Sequence, residues 1–376
     1  MFKLRHVAIA LTGLSTLAIG ARVVAQSGFN TKLVVGTSSF VSPLVELFGE
    51  VSVGEKSFIA SNTILSAEPG TRICIGNETN LQDNINMIAV PNAPAPVSPC
   101  SARATSTQNK VSIAHQAIIK NSKLGNFTFI GFRARITNST LADGVFVLHG
   151  ANIANVRIAK DRLVPIGAKI TTQAQADALP LKTADNSKFQ NEVLEVNREF
   201  AEHYNELYQE SGYGGVSGIS PAPKTSWNPK PVAPTVGKNV RLEEFARIVG
   251  DVRLGDNSVV GQRTSIRADE GAPIIVGKNA IIEDRVTFHA LKGTNIKIGD
   301  NLNTEDNIVF HGPLEVGNNL AIEDDAVLFR SKVGNNVSIG TGAIVVGVTL
   351  GDRTQVPDNA LITTQAQADK LKRDRR

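Results

Sequence analysis

The stretch VGDVRLGDNSVVG, residues 249–261, decides the fold of this 376-residue chain. An aliphatic residue is repeatedly followed by glycine, and the spacing continues with Leu254, Val260 and Ile266, six residues apart. A period of six is neither that of a helix nor the simple alternation of a strand. It fits one side of a triangular solenoid in which the aliphatic side chain points inward and the glycine makes the corner, and stacked coils bury a continuous core. The pattern predicts an all-β solenoid, a left-handed parallel β-helix of hexapeptide repeats.

The composition agrees with that architecture. The chain has 32 glycines, 41% apolar residues and only 5% aromatic residues, which suits short strands, frequent turns and an aliphatic core. The net charge is +4, and the densest basic run is residues 370–376. Because that run has no interleaved aromatic residues, it predicts a solvated tail and no nucleic-acid partner.

The solenoid pattern occurs twice. The segment TTQAQAD at residues 171–177 recurs at residues 363–369, and GEVSVG at residues 49–54 corresponds to GDVRLG at residues 250–255. A second repeat on this scale indicates that the whole domain is duplicated.

We therefore predict a first β-helix domain over residues 26–211, a Gly-, Pro- and Ser-rich linker over 212–236, and a second β-helix domain over 237–376. Residues 187–210 carry an apolar stripe at helical spacing, which predicts an α-helix at the end of the first domain. We interpret this stripe as core that packs on the first solenoid.

The N-terminus predicts export. Lys3 and Arg5 precede an apolar stretch over residues 7–21, and small residues follow up to Ala25. This is the pattern of a signal peptide, residues 1–25. The alternative is a membrane anchor, but the apolar run is shorter than the roughly 18 to 20 residues that a spanning helix needs. We expect a periplasmic, thylakoid-lumenal or secreted protein with no stable membrane span after cleavage.

Export also bears on the two cysteines, Cys74 and Cys100. They flank a Pro- and Ala-rich segment, residues 90–102. Outside the cytosol a disulfide persists, and a cross-link would constrain that segment. We predict the bond; the alternative is two free, buried thiols.

The second copy carries the residues of a candidate site. SIRADEG at residues 265–271 is followed by Glu283, by His289 six residues later, and then by Asp306 and His311. Together these motifs resemble the γ-class carbonic anhydrases, including the carbonic-anhydrase-like N-terminal domain of the cyanobacterial carboxysome scaffold proteins. The resemblance covers both copies, approximately residues 33–210 and 237–369.

The resemblance implies a trimer in which three histidines bind zinc, two from one subunit and one from its neighbour. His289 and His311 match the same-subunit pair, whereas Asp306 stands at the neighbour-donated position. Arg267 and Asp269 match an interface salt bridge.

Two further positions of the second copy bear on catalysis. Glu270 matches a proton-transfer position, and Glu283 replaces a site glutamine. Glu270 can equally be interpreted as a charged turn residue.

The first copy has lost most of these residues. It keeps Gln82 and His115 at the glutamine and neighbour-donated positions. The replacements at the Arg, Asp and two same-subunit His positions are Ser66, Glu68, Ile88 and Lys120. Because an isoleucine cannot coordinate zinc and a lysine would place a cation beside it, an isolated trimer of first copies would bind no zinc in the family manner.

The losses in the two copies are complementary, which leads to two hypotheses. In a mixed, pseudo-trimeric ring, His115, His289 and His311 surround one metal, with Gln82 nearby. In a trimer of second copies, His289 and His311 share the metal with Asp306. Two histidines and a carboxylate also suit Zn²⁺ or Fe²⁺.

The function that we expect from the resemblance is reversible hydration of CO₂ to bicarbonate by a zinc enzyme. This reaction needs hydroxide at neutral pH, and zinc supplies it by lowering the pKa of bound water from about 15.7 to near 7. The alternative from another class is a catalytically inert, trimeric assembly or scaffold protein. An acyltransferase of the same solenoid class has less support, since no feature of the sequence requires one.

Overall fold

The computed structural model describes residues 31–91 and 104–373. Over these residues the chain forms two left-handed parallel β-helices joined by a long α-helix, which confirms the predicted fold class. The predicted signal peptide at residues 1–25 and Cys100 lie outside the described residues. Within the described part of the chain, no helix is long and apolar enough to cross a membrane.

The first β-helix contains three parallel sheets of seven strands each. In chain order the strands are β1 (Lys32–Val35), β2 (Phe40–Val41), β3 (Glu46–Phe48), β4 (Glu50–Val53), β5 (Phe58–Ile59), β6 (Ile64–Ala67), β7 (Arg72–Ile75), β8 (Asn80–Leu81), β9 (Asn86–Ala89), β10 (Ala104–Thr107), β11 (Ser112–Ile113), β12 (Ile118–Lys120), β13 (Lys123–Leu124), β14 (Phe129–Ile130), β15 (Arg135–Thr137), β16 (Thr140–Leu141), β17 (Phe146–Val147), β18 (Asn152–Ala154), β19 (Arg157–Ile158), β20 (Leu163–Val164) and β21 (Lys169–Ile170). Every third strand joins the same sheet, so sheet 1A begins with β1, sheet 1B with β2 and sheet 1C with β3.

Three helices follow the coils. They are α1 (Gln173–Asp177) and α2 (Ala184–Gly215) after the first β-helix, and α3 (Gln365–Ala368) near the end of the second. The repeated TTQAQAD segments form α1 and α3 alike, because Thr172 and Thr364 each cap the helix in a reciprocal capping box with a glutamine. The predicted helix is present as α2, with non-helical backbone at Gly212.

The second β-helix repeats the arrangement with sheets 2A, 2B and 2C, named for their counterparts in the first. Its strands in chain order are β22 (Ile219–Ser220), β23 (Thr235–Val236), β24 (Arg241–Leu242), β25 (Arg247–Gly250), β26 (Val252–Leu254), β27 (Val259–Val260), β28 (Ser265–Ala268), β29 (Ile274–Val276), β30 (Ile281–Ile282), β31 (Thr287–His289), β32 (Ile296–Ile298), β33 (Asn303–Thr304), β34 (Val309–His311), β35 (Leu314–Val316), β36 (Ala321–Ile322), β37 (Val327–Phe329), β38 (Lys332–Val333), β39 (Ser338–Ile339), β40 (Ile344–Val346), β41 (Thr349–Leu350), β42 (Thr354–Val356), β43 (Leu361–Ile362) and β44 (Lys372–Arg373). Sheet 2C begins with β22, sheet 2A with β23 and sheet 2B with β24, and β44 closes sheet 2B in antiparallel pairing.

The hexapeptide pattern places its aliphatic residues in the core, as expected: Leu254, Val260 and Ile266 are all buried. The glycines of the pattern differ from one another. Gly250, which joins β25 to β26, has a φ of 78°, as a corner glycine would. Gly255 does not adopt the left-handed conformation; it is required because a Cβ there would lie 2.5 Å from the carbonyl carbon of Gly277 in the next coil.

Asparagine holds half of the left-handed positions that are not glycine in the described part of the chain. Asn279 and Asn301, for example, have φ values of 56° and 60°. Asparagine tolerates this conformation better than most residues, and its side chain then bonds to the equivalent residue in the next coil, as Asn279 Nδ2 does to Asn301 Oδ1 at 3.0 Å. The corners of successive coils are therefore tied together.

The two β-helices pack against each other. The corner where sheet 1B turns into sheet 1C lies on the outer face of sheet 2C, with Ala114 and Phe132 in one apolar cluster with Val309, Val327 and Phe329. Polar contacts also cross this interface: Asn84 Nδ2 donates to Thr287 Oγ1, Gln116 Nε2 to the Arg285 carbonyl and Ser265 Oγ to Asp83 Oδ1, and Arg133 pairs with Asp325. The copies thus form one continuous structure.

Helix α2 packs on sheet 1B, where Phe200 and Tyr204 contact Phe40 and Phe58. The segment after it, predicted as a linker, is partly built into the second β-helix, because β22 pairs with β25. Of the two cysteines in the chain, only Cys74 lies in the part that the structure describes, and it is disulfide-bonded.

Candidate metal centre

Three histidines from the two copies meet at the interface. His115 lies in the turn after β11, while His289 and His311 are paired neighbours at the ends of β31 and β34. His289 Nδ1 lies 3.3 Å from His115 Nε2 and 3.3 Å from His311 Nε2. One ring nitrogen from each lies within 4.8 Å of the others, and all three residues are buried. The chain itself therefore brings together the three histidines of the mixed-ring hypothesis.

The outer nitrogen of each ring faces an acceptor. His311 Nδ1 lies 3.3 Å from the Gly312 carbonyl oxygen, and His289 Nε2 lies 3.3 Å from Glu270 Oε1. His115 Nδ1 either donates to Asp83 Oδ2 at 3.4 Å or, in the other tautomer, accepts from the Asp83 backbone N–H at 3.2 Å. Acceptors of this kind orient metal-binding histidines, and at His289 and His311 they leave the inner nitrogen free. His115 is free at Nε2 in the tautomer that donates to Asp83.

A buried ion network supports the histidines. Arg267 Nε lies 2.9 Å from Asp83 Oδ2 of the first copy, and Arg267 Nη1 donates to Asp269 Oδ2 at 2.8 Å. Tyr204 of α2 donates its hydroxyl hydrogen to the same Asp269 oxygen at 2.6 Å. The Arg267 and Asp269 positions expected at an interface thus lie at the interface between the two copies, with Asp83 as the partner.

The charges of this network follow from burial and pairing. Burial alone would raise the pKa of Asp269, but Arg267 and His289 hold it at about 2. Burial likewise opposes ionisation of Asp83, and Arg267 outweighs it, so the pKa of Asp83 is lowered. Burial lowers the pKa of His115 to about 4 and also lowers that of His311. Both imidazoles are therefore neutral at neutral pH, the form that coordinates metals.

Glu270 differs from its neighbours. Burial raises its pKa to about 7, with nearby His289 opposing and nearby Asp269 adding to that shift. A carboxyl group with a pKa near neutrality can both accept and release a proton at physiological pH.

A cavity of about 570 Å³ lies beside His289, His311 and Glu270. Gln82 and Asn197 line it, and the side-chain oxygen of each is buried without a hydrogen-bond partner among the described residues. The cavity therefore offers polar groups that a ligand could satisfy. Its other lining includes Phe189, Val193, Val196, Leu291, Lys292 and Arg330.

This cavity changes one interpretation of the sequence. The apolar stripe of α2 was predicted to be core only, yet Phe189, Val193 and Val196 also line the cavity. Tyr204 likewise belongs to the stripe and bonds to Asp269. The helix packs on the first solenoid as predicted, and it also covers the histidine site.

Asp306 and Glu283 do not reach the three histidines in this chain. Asp306 Oδ1 accepts a hydrogen bond from the Asp284 backbone at 3.0 Å. Burial and the neighbouring carboxylates raise the pKa of Glu283, and burial is also the largest cause of the raised pKa of Asp306. A site with Asp306 as the third ligand would require a second chain.

Three contributors were missed from sequence. Asp83, Asn197 and Tyr204 all come from the first copy or its helix. The sequence does carry a signal for Asp83, because it directly follows Gln82, which is a predicted site residue. The helix residues gave no such signal, because their spacing marks a buried face without saying what that face covers.

Comparisons with known proteins agree with the resemblance. No protein-family model matches the chain. The carbonic anhydrase of Methanosarcina thermophila is 35% identical over 174 residues, spanning 41% of this chain and 70% of that enzyme. The carboxysome assembly protein CcmM of Nostoc sp. is 32% identical over 162 residues, spanning 43% of this chain. The mitochondrial gamma carbonic anhydrase 1 of Arabidopsis thaliana is 30% identical over 107 residues, spanning 28% of this chain and 37% of that protein.

The extent of these matches differs. The chain spans only 29% of the length of the Nostoc protein. Among solved structures, a hexapeptide transferase family protein from Anaplasma phagocytophilum is similar with a TM-score of 0.36 and 20% identity, over 46% of this chain and 92% of that one.

Proposed function

Because the chain belongs to the γ-class carbonic anhydrase family, we propose that it is a zinc-dependent enzyme for the reversible hydration of CO₂ to bicarbonate. One observation carries the proposal: His115, His289 and His311 converge, and the outer nitrogen of each faces an acceptor. The proposed metal is shared between the two copies of one chain.

The donor set fits zinc. Three imidazole nitrogens are the protein ligands of a catalytic zinc site that keeps one position open, and the adjacent cavity gives access to His289 and His311. Imidazole also suits Fe²⁺. When bound, such a metal makes a nucleophile available from water near neutral pH.

The other residues have separable tasks in this proposal. The carboxyl group of Glu270 holds and releases a proton, which its pKa of about 7 allows. Gln82 and Asn197 position bicarbonate by accepting a hydrogen bond at their unpartnered side-chain oxygens, whereas Val193 and Leu291 give an apolar wall suited to CO₂. Arg267 and Asp269 hold His289 in place.

Metal analysis of purified variants tests the proposal. We expect about one metal ion per chain in the wild type and in Asp306→Asn, and none in His115→Ala, with far-ultraviolet circular dichroism confirming that all three fold. Unchanged metal in His115→Ala, or its loss in Asp306→Asn, would overturn the shared site.

Stopped-flow measurement of CO₂ hydration then tests catalysis. The wild type and Asp306→Asn should be active, and His115→Ala inactive. A wild type that binds metal without hydrating CO₂ would refute the enzyme and leave the inert assembly protein as the function.

We further propose that the protein is exported. The N-terminal sequence pattern and the disulfide-bonded Cys74 support this, since such bonds persist outside the cytosol. N-terminal sequencing of the mature protein from fractionated cells should begin near residue 26; an intact N-terminus in the cytosolic fraction would contradict export.

A further inference from the structure

One of the three histidines is held differently from the other two. The outer ring nitrogens of His115 and His289 each lie within 3.4 Å of a buried carboxylate, whereas that of His311 faces the carbonyl oxygen of Gly312 at 3.3 Å. A hydrogen bond from nitrogen to oxygen is usually about 2.9–3.0 Å long, so this carbonyl fixes the ring weakly. Other contacts are needed to set the orientation of His311.

Two phenylalanine rings enclose the imidazole of His311. Phe132 stacks on it, with the centroids 4.7 Å apart and an interplanar angle of 29°, and Phe329 meets it edge-on at 5.3 Å and 89°. The two phenylalanines also contact each other edge to face at 5.4 Å, and both are buried. Stacked and edge-to-face contacts are the favourable geometries of ring pairs. Phe132 and Phe329 thus form an aromatic slot for His311.

The two walls of the aromatic slot come from different copies. Phe329 is the register partner of His311 on the neighbouring strand β37 of sheet 2C. Phe132 lies in the turn after β14 of the first copy, one coil beyond His115, which lies in the turn after the paired strand β11. Phe132 also stacks on the ring of His115 at 5.7 Å and 21°. It therefore contacts one metal ligand from each copy.

The next coil of the same corner fixes Phe132 in turn. His149 lies in the turn after β17, and its ring stacks on that of Phe132 at 4.3 Å and 10°. The backbone N–H of Phe132 donates to His149 Nδ1 at 3.1 Å. His115, Phe132 and His149 form one column of rings on successive coils. The ring of Phe132 cannot tilt away from His311 without losing its stack on His149.

We propose that Phe132 and Phe329 are positioning residues of the metal site, which hold the ring of His311 in the orientation that a metal requires. This inference rests on the proposed function. A ligand ring that is already oriented loses little conformational freedom when the metal binds, and such preorganisation raises affinity. A metal-bound imidazole also carries part of the positive charge of the ion, which the face of a phenyl ring attracts. Phe132 therefore stabilises the site more with metal than without it.

Phe146 provides a matched control. It is buried in the same apolar cluster as Phe132 and Phe329 and stacks on Phe129 at 4.5 Å. Within the described part of the chain, no ring contact joins it to a histidine. Leucine at any of the three positions keeps an apolar side chain and removes the flat ring. Loss of packing alone would affect the three variants alike, whereas loss of positioning would affect only Phe132→Leu and Phe329→Leu.

Titration of the metal-free, full-length chain with Co²⁺ tests the inference. Imidazole ligands also bind Co²⁺, and its visible absorption bands depend on the geometry of its ligands. We expect Phe132→Leu to raise the dissociation constant for Co²⁺ by about tenfold or more, as is usual when a residue that orients a ligating histidine is removed, and to change the absorption bands. Phe329→Leu should change both in the same way, and Phe146→Leu should match the wild type. Circular dichroism of the metal-free proteins shows which variants fold.

Two results would overturn the inference, and they differ in what else they exclude. If folded Phe132→Leu and Phe329→Leu bind Co²⁺ with the affinity and spectrum of Phe146→Leu, the positioning role is wrong and the proposed function stands. If only one of the two variants folds, that variant decides. A wild type that takes up no Co²⁺ would overturn the proposed function and the inference with it.

Discussion

Arg267→Met is the substitution whose effect can be worked out most fully. The guanidinium is the bridge between Asp83 of the first copy and Asp269 of the second, at 2.9 and 2.8 Å, and both carboxylates are fully buried. It also lies over the adjacent rings of Phe58 and Phe200, 5.7 and 5.8 Å from their centroids. A methionine side chain packs favourably against aromatic rings, so the main loss is the positive charge.

Removing one partner of a buried ion pair costs about 3–5 kcal/mol, because an uncompensated charge stays buried. The pH dependence gives a second, sharper expectation. In the wild type the pKa values of Asp83 and Asp269 are lowered, so their stabilisation is present above the unfolded pKa of about 3.9 and is lost as pH falls through the folded values.

Without Arg267, burial is the largest remaining influence and raises both pKa values. A raised carboxyl pKa gives stability that is present below about pH 3.9 and is lost as pH rises through the folded value. The substitution should therefore destabilise the protein more at pH 7 than at pH 5.

Urea unfolding at both pH values measures this. Arg253→Met is the matched control, because Arg253 makes a similar two-bond pair with Asp251 on the exposed face of sheet 2A, and exposed pairs contribute little. An Arg267→Met protein no less stable than this control, or one destabilised equally at pH 5 and pH 7, would refute the reasoning.

Three further predictions follow from other residues. Burial lowers the pKa of His149 to about 3. Its contribution to the free energy of unfolding is therefore present above pH 6.5 and falls by about 2 kcal/mol by pH 5. His149→Phe should flatten the curve of Tm against pH over that range, and an unchanged slope would contradict this. Tyr204→Phe removes the donor to Asp269 and should cost about 1–3 kcal/mol in urea unfolding, whereas Tyr208→Phe on the same helix should cost less. Glu270→Gln should lower kcat for CO₂ hydration about 100-fold at unchanged metal content; wild-type kcat would exclude Glu270 from proton transfer.

The fold was predictable because its signal repeats. Leu254, Val260 and Ile266 define a period of six residues that fits a solenoid. Each further coil repeats this period, so the sequence alone carries the signal many times. The glycine assignment holds at Gly250, whose φ is 78°, and fails at Gly255 for a local reason. A glycine is required at position 255 by the close approach of the next coil, whereas many left-handed positions are held by asparagine, as at Asn279. A sequence pattern shows the residue type but not which of these constraints selects it.

The candidate site was predictable only in part. The sequence predicts His115 with His289 and His311 as one candidate ligand set, since each copy lacks the histidines that the other retains. The contributions of Tyr204 and Asn197 depend on where α2 packs. That placement is a tertiary property, and the apolar stripe of the helix is equally compatible with covering a core or covering a site.

The losses in the two copies follow from which surfaces meet. The single contact between the copies uses the corner between sheets 1B and 1C of the first copy and the outer face of sheet 2C of the second. The retained Gln82 and His115 lie on that corner, and the retained His289 and His311 lie on that sheet. The replaced positions, such as Ile88, lie on the face that this contact leaves open. Divergence of the copies thus tracks the geometry of the interface, because a ligand on a surface that meets no complementary ligand contributes nothing to a metal site.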